Sequence, residues 1–179
     1  MKLKLLLITA SMLAVLLFTD IWKADTENAK VSFKIKGPFG TVNGNFTGLQ
    51  TVIQFDENNL SGSSLTASID AKTVSTGVGL RNKHLREEQQ WFNTDKYPRI
   101  SFHSKKIEKS TNGFTAFGEL TIKEVSKTIE IPFTFSLKDN TGLFKGAFTI
   151  KREDYKLGNS GGGSVGSDVT ITLEIPVKK

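Results

Sequence analysis

The sequence predicts an all-β protein, a closed antiparallel barrel with an apolar interior and one short helical insertion. Nine segments alternate apolar and polar residues with the period of two that is typical of half-buried strands. The turns between them are local, as at Asn112-Gly113 and Asn140-Thr141-Gly142, which favours up-and-down connections between neighbouring strands. Strands at this spacing are typical of a barrel or a sandwich. One apolar face on every strand suits a barrel with a wet exterior.

The predicted strands each carry apolar side chains on one face. They cover residues 30–36, 41–47, 50–56, 63–71, 99–105, 113–123, 126–137, 144–152 and 168–177. Pro132 and Pro176 fall inside two of these segments. Because proline has no backbone N–H, we expect both at an edge, a bulge or a strand end. Asn43-Gly44 inside another segment predicts a bulge or a turn.

Residues 80–92 interrupt this alternation with good helix formers and no proline, so they predict the helical insertion. Leu85 and Phe92 lie seven residues apart and share one face of such a helix. We therefore expect both side chains to pack on the barrel. A second interruption, residues 159–166, is rich in glycine and serine and predicts a flexible loop.

The first 19 residues have the features of a targeting segment. Lys2 and Lys4 precede an apolar run from Leu5 to Phe18, which is short for a membrane-spanning helix of about 20 residues. We expect residues 1–19 to be a signal peptide or an N-terminal membrane stub, and residues 21–179 to form the barrel domain. The protein is then exported to the periplasm or cell envelope, with a membrane tether if the segment stays uncleaved.

Composition argues against several classes of function. The chain has no cysteine and two histidines, so it offers no thiolate chemistry and no obvious metal site. The formal charge is +6, and removing residues 1–19 leaves 22 Lys and Arg against 18 Asp and Glu, or +4. No run of like charges indicates nucleic-acid binding. Phosphate-loop, dinucleotide and nucleophile-elbow motifs are absent from the sequence, so we expect no enzyme and no cofactor.

A series of short motifs, in fixed order, resembles the YceI-like family of polyisoprenoid-binding periplasmic proteins. The resemblance covers residues 21–177. The motifs are Phe39-Gly40-Thr41-Val42-Asn43-Gly44-Asn45-Phe46, Thr76-Gly77, Arg81-x-x-His84-Leu85, Trp91-Phe92, Tyr97-Pro98-x-Ile100-x-Phe102-x-Ser104, Gly118-x-Leu120-Thr121-Ile122-Lys123, Arg152-x-Asp154-Tyr155 and Asp168-Val169.

The resemblance implies an extended lipocalin-like antiparallel barrel of about eight strands. It implies non-catalytic binding, transport or storage of a polyisoprenoid lipid, either a polyprenyl phosphate or an isoprenoid quinone, in an apolar cavity. We expect no metal and no nucleic-acid partner, and the resemblance allows transient membrane contact and a homodimer.

The inward apolar residues of the strands and helix are the predicted cavity lining. They are Phe33, Ile35, Phe46, Leu85, Phe92, Phe102, Phe133, Phe135 and Phe148. Arg81 and His84 are predicted to contact the lipid head group or to anchor the helix on the barrel. For Arg81 the structural reading is a pair with a buried carboxylate, and His103 is expected to be exposed.

Two other functions stay open at this level. In the first, the protein is an envelope stress-response or surface protein whose core is filled by its own phenylalanines. In the second, it is an enzyme acting on an isoprenoid-like lipid. A measurable cavity would argue against the first. A pocket holding both His84 and a carboxylate would favour the second.

Overall fold

A computed structural model describes residues 21–158 and 164–179 as a closed antiparallel barrel with one α-helix among them. The predicted signal peptide and part of the predicted glycine-rich loop lie outside these residues. The strands are β1 (Ile21–Ala24), β2 (Lys30–Gly37), β3 (Gly40–Phe46), β4 (Gln50–Gln54), β5 (Ser64–Asp70), β6 (Arg99–Ser110), β7 (Gly113–Ile122), β8 (Val125–Lys138), β9 (Thr141–Lys151) and β10 (Asp168–Lys178). The helix, α1, spans Gly79–Glu87.

Eight strands close the barrel in the order β1-β4-β5-β6-β7-β8-β9-β10, with β10 returning to β1. The hairpin of β2 and β3 pairs with the other end of β10, from Val169 to Glu174, and extends the wall there. Beside β3, an isolated bridge between Asn45 and Ser75 ties the hairpin to the segment that leads into α1. The barrel is therefore wider at the hairpin end.

Both prolines lie where a neighbouring ladder begins or ends, as predicted. On β8, the pairs with β9 start at Phe133, so Pro132 stands just outside that ladder. On β10, Pro176 falls between Glu174, the last partner of β2, and Val177, the first partner of β1. A residue that cannot donate a ladder hydrogen bond therefore marks the point where β10 changes neighbour.

Two local predictions are wrong in detail. Asn43-Gly44 forms no turn or bulge, because β3 pairs continuously with β2 from Gly40 to Phe46. The reason for the glycine is a close approach: a Cβ at Gly44 would come within 2.2 Å of the ring of Phe33. The helix ends at Glu87 and does not reach residue 92.

The chain turns back after α1 because later backbone groups bond to the helix end. The backbone N–H of Phe92 donates to the carbonyl of Leu85 (3.0 Å), and that of Thr94 donates to the carbonyl of Arg86 (2.7 Å). These bonds satisfy carbonyls that the end of a helix leaves without partners. They also bring the side chain of Phe92 onto the barrel by a turn rather than by helical periodicity.

The narrow end of the barrel is a solid aromatic core, which we call the closed end. It is centred on Phe55, which is 1% exposed and lies 5.0–5.6 Å, ring centre to ring centre, from four other phenylalanines. All four contacts are edge-to-face, an arrangement that aromatic quadrupoles prefer. The indole N–H of Trp22 donates to the carbonyl of Phe55 (2.9 Å), which fixes β1 to this core. The four phenylalanines are Phe114, Phe133, Phe135 and Phe144.

Candidate functional site

The wide end of the barrel, the open end, contains a cavity of about 550 Å³. Its volume lies within the range of about 300–1,000 Å³ that is usual for small-molecule sites. The lining is mainly aliphatic, and β10 contributes a row of four side chains, which are Val169, Ile171, Leu173 and Ile175. Alternation along β10 turns these four to the interior, so the period-two pattern of the sequence directly produces this wall.

The floor of the cavity is set by a change of side chain along single strands. On β8, Ile131 lines the cavity, and Phe133, two residues further on the same face, belongs to the aromatic core. On β9, Phe148 and Ile150 line the cavity, whereas Phe144 belongs to the core. The strands are thus continuous while their interior changes from open space to packed rings.

Three phenylalanine rings form one side of the cavity. Phe33 lies 5.6 Å from Phe46, and Phe46 lies 5.7 Å from Phe92, measured between ring centres. Phe33 is able to lie flat over β3 because its cross-strand partner is Gly44. The row joins the hairpin to the turn after α1 and so seals the wall where β3 has few strand partners.

Arg81 lines the cavity from α1 and is held by the segment before the helix. Its Nε donates to Thr76 Oγ1 (2.8 Å) and its Nη2 donates to the Thr76 carbonyl (2.9 Å). The side-chain carbonyl of Asn82 accepts from the Thr76 backbone N–H (2.8 Å) and hydroxyl (2.6 Å). These bonds connect Arg81 to Thr76, and not to the buried carboxylate that the sequence suggested. They fix the guanidinium at the cavity wall.

A second, more polar cleft of about 390 Å³ lies beside the cavity, between the β2–β3 turn and α1. Arg81 and Thr76 line both spaces, and so do Phe39 and Val42. Asn43 lines the polar cleft only. Arg81 therefore stands at the boundary between an apolar and a polar compartment.

His84 also lines the cavity but is half exposed, and its Nδ1 lies 3.8 Å from Glu88 Oε1 on the same helix. This contact stays within α1 and its end, so it does not anchor the helix on the barrel. His103 is exposed on β6 as expected, with its Nδ1 3.1 Å from Thr66 Oγ1. Within residues 21–158 and 164–179, no group of three His, Cys, Asp or Glu residues could hold a metal ion.

Arg152 is a cavity residue that the sequence analysis did not select. It is 4% exposed, and its guanidinium donates to three carbonyls, those of Leu157 (2.7 Å), Gly166 (2.9 Å) and Val165 (3.2 Å). Its Nη2 also lies 2.9 Å from Glu153 Oε1. Arg152 holds the chain on both sides of residues 159–163 against the cavity, since Leu157 and Val165 line it too.

The structure brings most of the predicted lining residues together. Seven of the nine line the cavity, namely Phe33, Ile35, Phe46, Leu85, Phe92, Phe102 and Phe148. Phe133 and Phe135 do not line it, because both rings pack in the aromatic core of the closed end. Arg81 and His84 are at the cavity wall, as selected. Binding of a ligand by any of these residues stays a prediction.

Several lining residues were missed although a signal for them exists. The four residues of β10 have the same alternation that identified the strand, and Trp91 immediately precedes the selected Phe92. Arg152 belongs to the motif Arg152-x-Asp154-Tyr155, but its place at the cavity was not predicted, because a charged residue in a short turn is ordinarily exposed. In the part of the chain that the structure describes, no helix is long and apolar enough to span a membrane.

Comparisons with known proteins agree with this architecture. A UPF0312 protein of Yersinia enterocolitica is 29% identical over 170 residues, which cover 86% of this chain and 84% of that protein. Among solved structures, BcnA of Burkholderia cenocepacia superposes with a TM-score of 0.81 at 25% identity, covering 86% of this chain and 99% of that one. The YceI protein of Campylobacter jejuni gives a TM-score of 0.70 at 27% identity, covering 77% and 85%.

A more distant structure shares the fold alone. It is a polyisoprenoid binding domain from Saccharophagus degradans, with a TM-score of 0.66, 15% identity and coverage of 89% of this chain and 98% of that one. At the level of sequence, residues 22–177 match the model of the YceI-like domain, which is most of the chain. On this match, and with a barrel that solved YceI proteins share, the chain belongs to the YceI-like family.

Proposed function

We propose that this protein binds a polyisoprenoid lipid in its open-end cavity and transports or stores it in the bacterial envelope, without chemistry on the lipid. The observation that carries the proposal is the cavity itself, which has an apolar lining and is closed at one end by packed aromatic rings. Membership of the YceI-like family supports a lipid-binding barrel. The name of the Saccharophagus degradans neighbour indicates the class of lipid.

The physical basis of the affinity is removal of hydrocarbon from water. Burial stabilises the complex by about 0.8 kcal/mol per CH₂-sized group, so one five-carbon unit contributes roughly 3–4 kcal/mol before the entropy of association is subtracted. A few units are then enough for tight binding, and no strong polar contact to the chain is needed. The row of β10 side chains and the three rings of Phe33, Phe46 and Phe92 are the surfaces that would cover such a chain.

The head group, a phosphate or a quinone ring, would lie near Arg81 and His84. Arg81 supports this placement because it stands between the apolar cavity and the polar cleft. Its guanidinium is already oriented by Thr76, so it would lose little side-chain freedom on contacting a hydrogen-bond acceptor. His84 adds a ring nitrogen at the same wall.

The other two functions have less support. A cavity of about 550 Å³ argues against a barrel filled by its own side chains. An enzyme would need converging titratable groups, and the described lining contains Arg81, His84 and Arg152 but no carboxylate. Export to the periplasm or envelope, transient membrane contact and a homodimer remain parts of the proposal that follow from the sequence.

Native mass spectrometry of the protein purified from a bacterial envelope, with organic extraction of the same sample, tests the proposal. The expected result is a bound mass that matches a polyprenyl chain with or without a head group. An unliganded mass that does not change when polyprenyl phosphate and isoprenoid quinone are added would contradict it.

A matched pair of variants ties any bound lipid to the cavity. Ala67→Phe places a ring in the cavity that Ala67 lines, and Val52→Phe places the same ring on the exposed face of the neighbouring strand β4. We expect the first to lose bound lipid and the second to retain it, with both proteins folded by circular dichroism. Equal lipid content in the two variants would place the lipid outside the cavity.

A further inference from the structure

The mouth of the cavity carries an unusual concentration of exposed apolar side chains. Phe39 is 102% exposed at the tip of the β2–β3 turn, yet it also borders the cavity. Val78 and Leu80 are exposed at the start of α1, next to Arg81 at the same wall. These are three of the six large apolar side chains that are exposed among the described residues. The six are Ile21, Phe39, Val52, Val78, Leu80 and Leu137.

Folding gives no reason for Phe39. The residue sits between Pro38 and Gly40 in a two-residue turn, and Gly40 supplies the positive φ of 124° that closes it. A polar residue would serve this turn equally well, and it would avoid exposing a whole phenylalanine ring to water. Phe39 at the entrance of an apolar cavity therefore indicates a partner for the rim.

The two chain segments that carry these residues contain charges of one sign. Segments 34–43 and 76–84, which carry Phe39, Val78 and Leu80, contain Lys34, Lys36, Arg81 and Lys83 and no carboxylate. Lys34, Lys36 and Lys83 are exposed. The ion pair of Lys83 is weak, since its Nζ lies 4.0 Å from Glu87 Oε2 one turn along the helix. Exposed apolar side chains among lysines match the interface of an anionic bilayer, where rings enter the hydrocarbon edge and ammonium groups meet phosphates.

We propose that Phe39, Val78 and Leu80, with Lys34, Lys36 and Lys83, form a rim that docks the open end of the barrel on an anionic bilayer. The inference rests on the proposed function and gives it a route. A polyisoprenoid leaving a bilayer would otherwise have to cross water, and a mouth pressed against the lipid lets it pass directly into the cavity. Arg81, at the boundary of the cavity and the polar cleft, would then lie at the level of the head groups.

Vesicle co-sedimentation tests the rim. Residues 21–179 are used, because the barrel closes within Ile21–Lys178 and the matching structure of BcnA is covered to 99%. Vesicles contain equal amounts of phosphatidylglycerol and phosphatidylcholine, or phosphatidylcholine alone. We expect binding to the anionic vesicles that weakens as salt is raised. Phe39→Ser with Leu80→Gln should weaken it at least about tenfold.

The charge contribution has its own variant. Lys36→Gln with Lys83→Gln should weaken binding to anionic vesicles by about fivefold per lysine and leave binding to phosphatidylcholine unchanged. The matched control is Val52→Ser with Leu137→Gln, which removes two exposed apolar residues away from the mouth. The control should bind as the unaltered protein does, and all variants should keep its melting temperature.

The outcomes separate this inference from the proposed function. Val78 and Leu80 are rim residues that do not line the cavity. If Val78→Gln with Leu80→Gln still takes up polyprenyl phosphate from detergent but no longer takes it from vesicles, the rim is a bilayer surface. If the unaltered protein binds vesicles through the rim but holds no polyisoprenoid, the proposed function fails and the docking surface stands. Vesicle binding that does not change in this variant would overturn the rim. So would a dimer that the same two substitutions dissociate without any vesicle binding.

Discussion

The closed end and the open end of this barrel are built from the same strands but with different side chains. At the closed end, Phe55 and its ring neighbours pack against one another in the interior, and Trp22 fixes the first described strand to them. At the open end, the inward positions of β10 are aliphatic and leave about 550 Å³ free. Stability and ligand space are thus separated along the barrel axis. Changes at the two ends should therefore affect different measurements.

The largest expected effect is at the closed end. Phe55→Ala removes a ring that is 1% exposed and touches four others, so we expect a loss of about 3–5 kcal/mol in the free energy of unfolding. Phe148→Ala at the cavity wall should lose clearly less, because one side of that ring already faces open space. Denaturant unfolding of both variants measures the difference. Equal losses would mean that the two ends are packed alike.

At the open end, Arg152 holds the chain at Leu157, Val165 and Gly166 by hydrogen bonds, and Arg152→Met tests these bonds. The substitution removes the donor from the carbonyls of Leu157, Val165 and Gly166, and we expect a loss of about 3 kcal/mol in unfolding free energy. Arg81→Met is the matched control, since that partly exposed guanidinium bonds only to Thr76 in the described contacts and should lose about 1 kcal/mol. A smaller loss for Arg152 than for Arg81 would contradict this assignment.

Lipid loading should stabilise the protein through the open end alone. A ligand at about one hundred times its Kd stabilises the folded state by about 2.7 kcal/mol. We expect the free energy of unfolding, measured by thermal unfolding, to increase by this amount when polyprenyl phosphate is added to the delipidated protein. Phe148→Ala should alter the increase, whereas Phe55→Ala should lower the baseline and keep the increase. Loss of the ligand effect in Phe55→Ala, while the protein is still folded, would break the separation of the two ends.

The smallest effect concerns Tyr155, which belongs to the buried core although its hydroxyl has no hydrogen-bond partner among the described residues. Tyr155→Phe removes that desolvated hydroxyl and should stabilise the protein by about 1 kcal/mol at neutral pH. Burial raises the pKa of Tyr155 to about 12. The unfolded chain therefore loses this proton first, so stability falls as the pH rises above about 10.

Tyr155→Phe has no hydroxyl proton to lose at this position. Its free energy of unfolding should therefore fall less than that of the unaltered protein between neutral pH and about pH 11. Unfolding curves at both pH values, on both proteins, measure the difference. Parallel losses would show that the hydroxyl ionises as freely in the folded state as in the unfolded chain.

The sequence predicted the strands well, but it did not predict the level along the barrel axis at which the cavity ends. Alternation identified nine of the ten strands in the described residues, and it missed the four-residue β1. The same alternation gave the inward face of β8 but not the level at which the cavity ends. Phe133 and Phe135 therefore looked like Phe148, although they lie in the solid core. A period of two shows which side chains of a strand point inward, but it does not show how far along the barrel axis each one lies.

Contacts between neighbouring strands and turns account for the remaining differences. Gly44 carried a local turn signal, but its purpose is to admit the ring of Phe33 from the next strand. The helix ended early because backbone groups of Phe92 and Thr94 bond to its last turn. Arg152 is buried because three carbonyls from its own loop surround it. These contacts depend on how the chain turns back on itself, and the periodicity of apolar residues does not show that.

The position of Pro176 has a consequence for folding. The last strand, β10, pairs with β9 along its length, with β2 before Pro176 and with β1 after it. Strand β1 also pairs with β4, and β2 with β3, but each gains its second partner only when β10 is in place. Contacts this far apart in sequence make closure slow and leave the apolar strand faces uncovered meanwhile. The C-terminal strand is the seam of the barrel, and shortening it would open the wall along three strands at once.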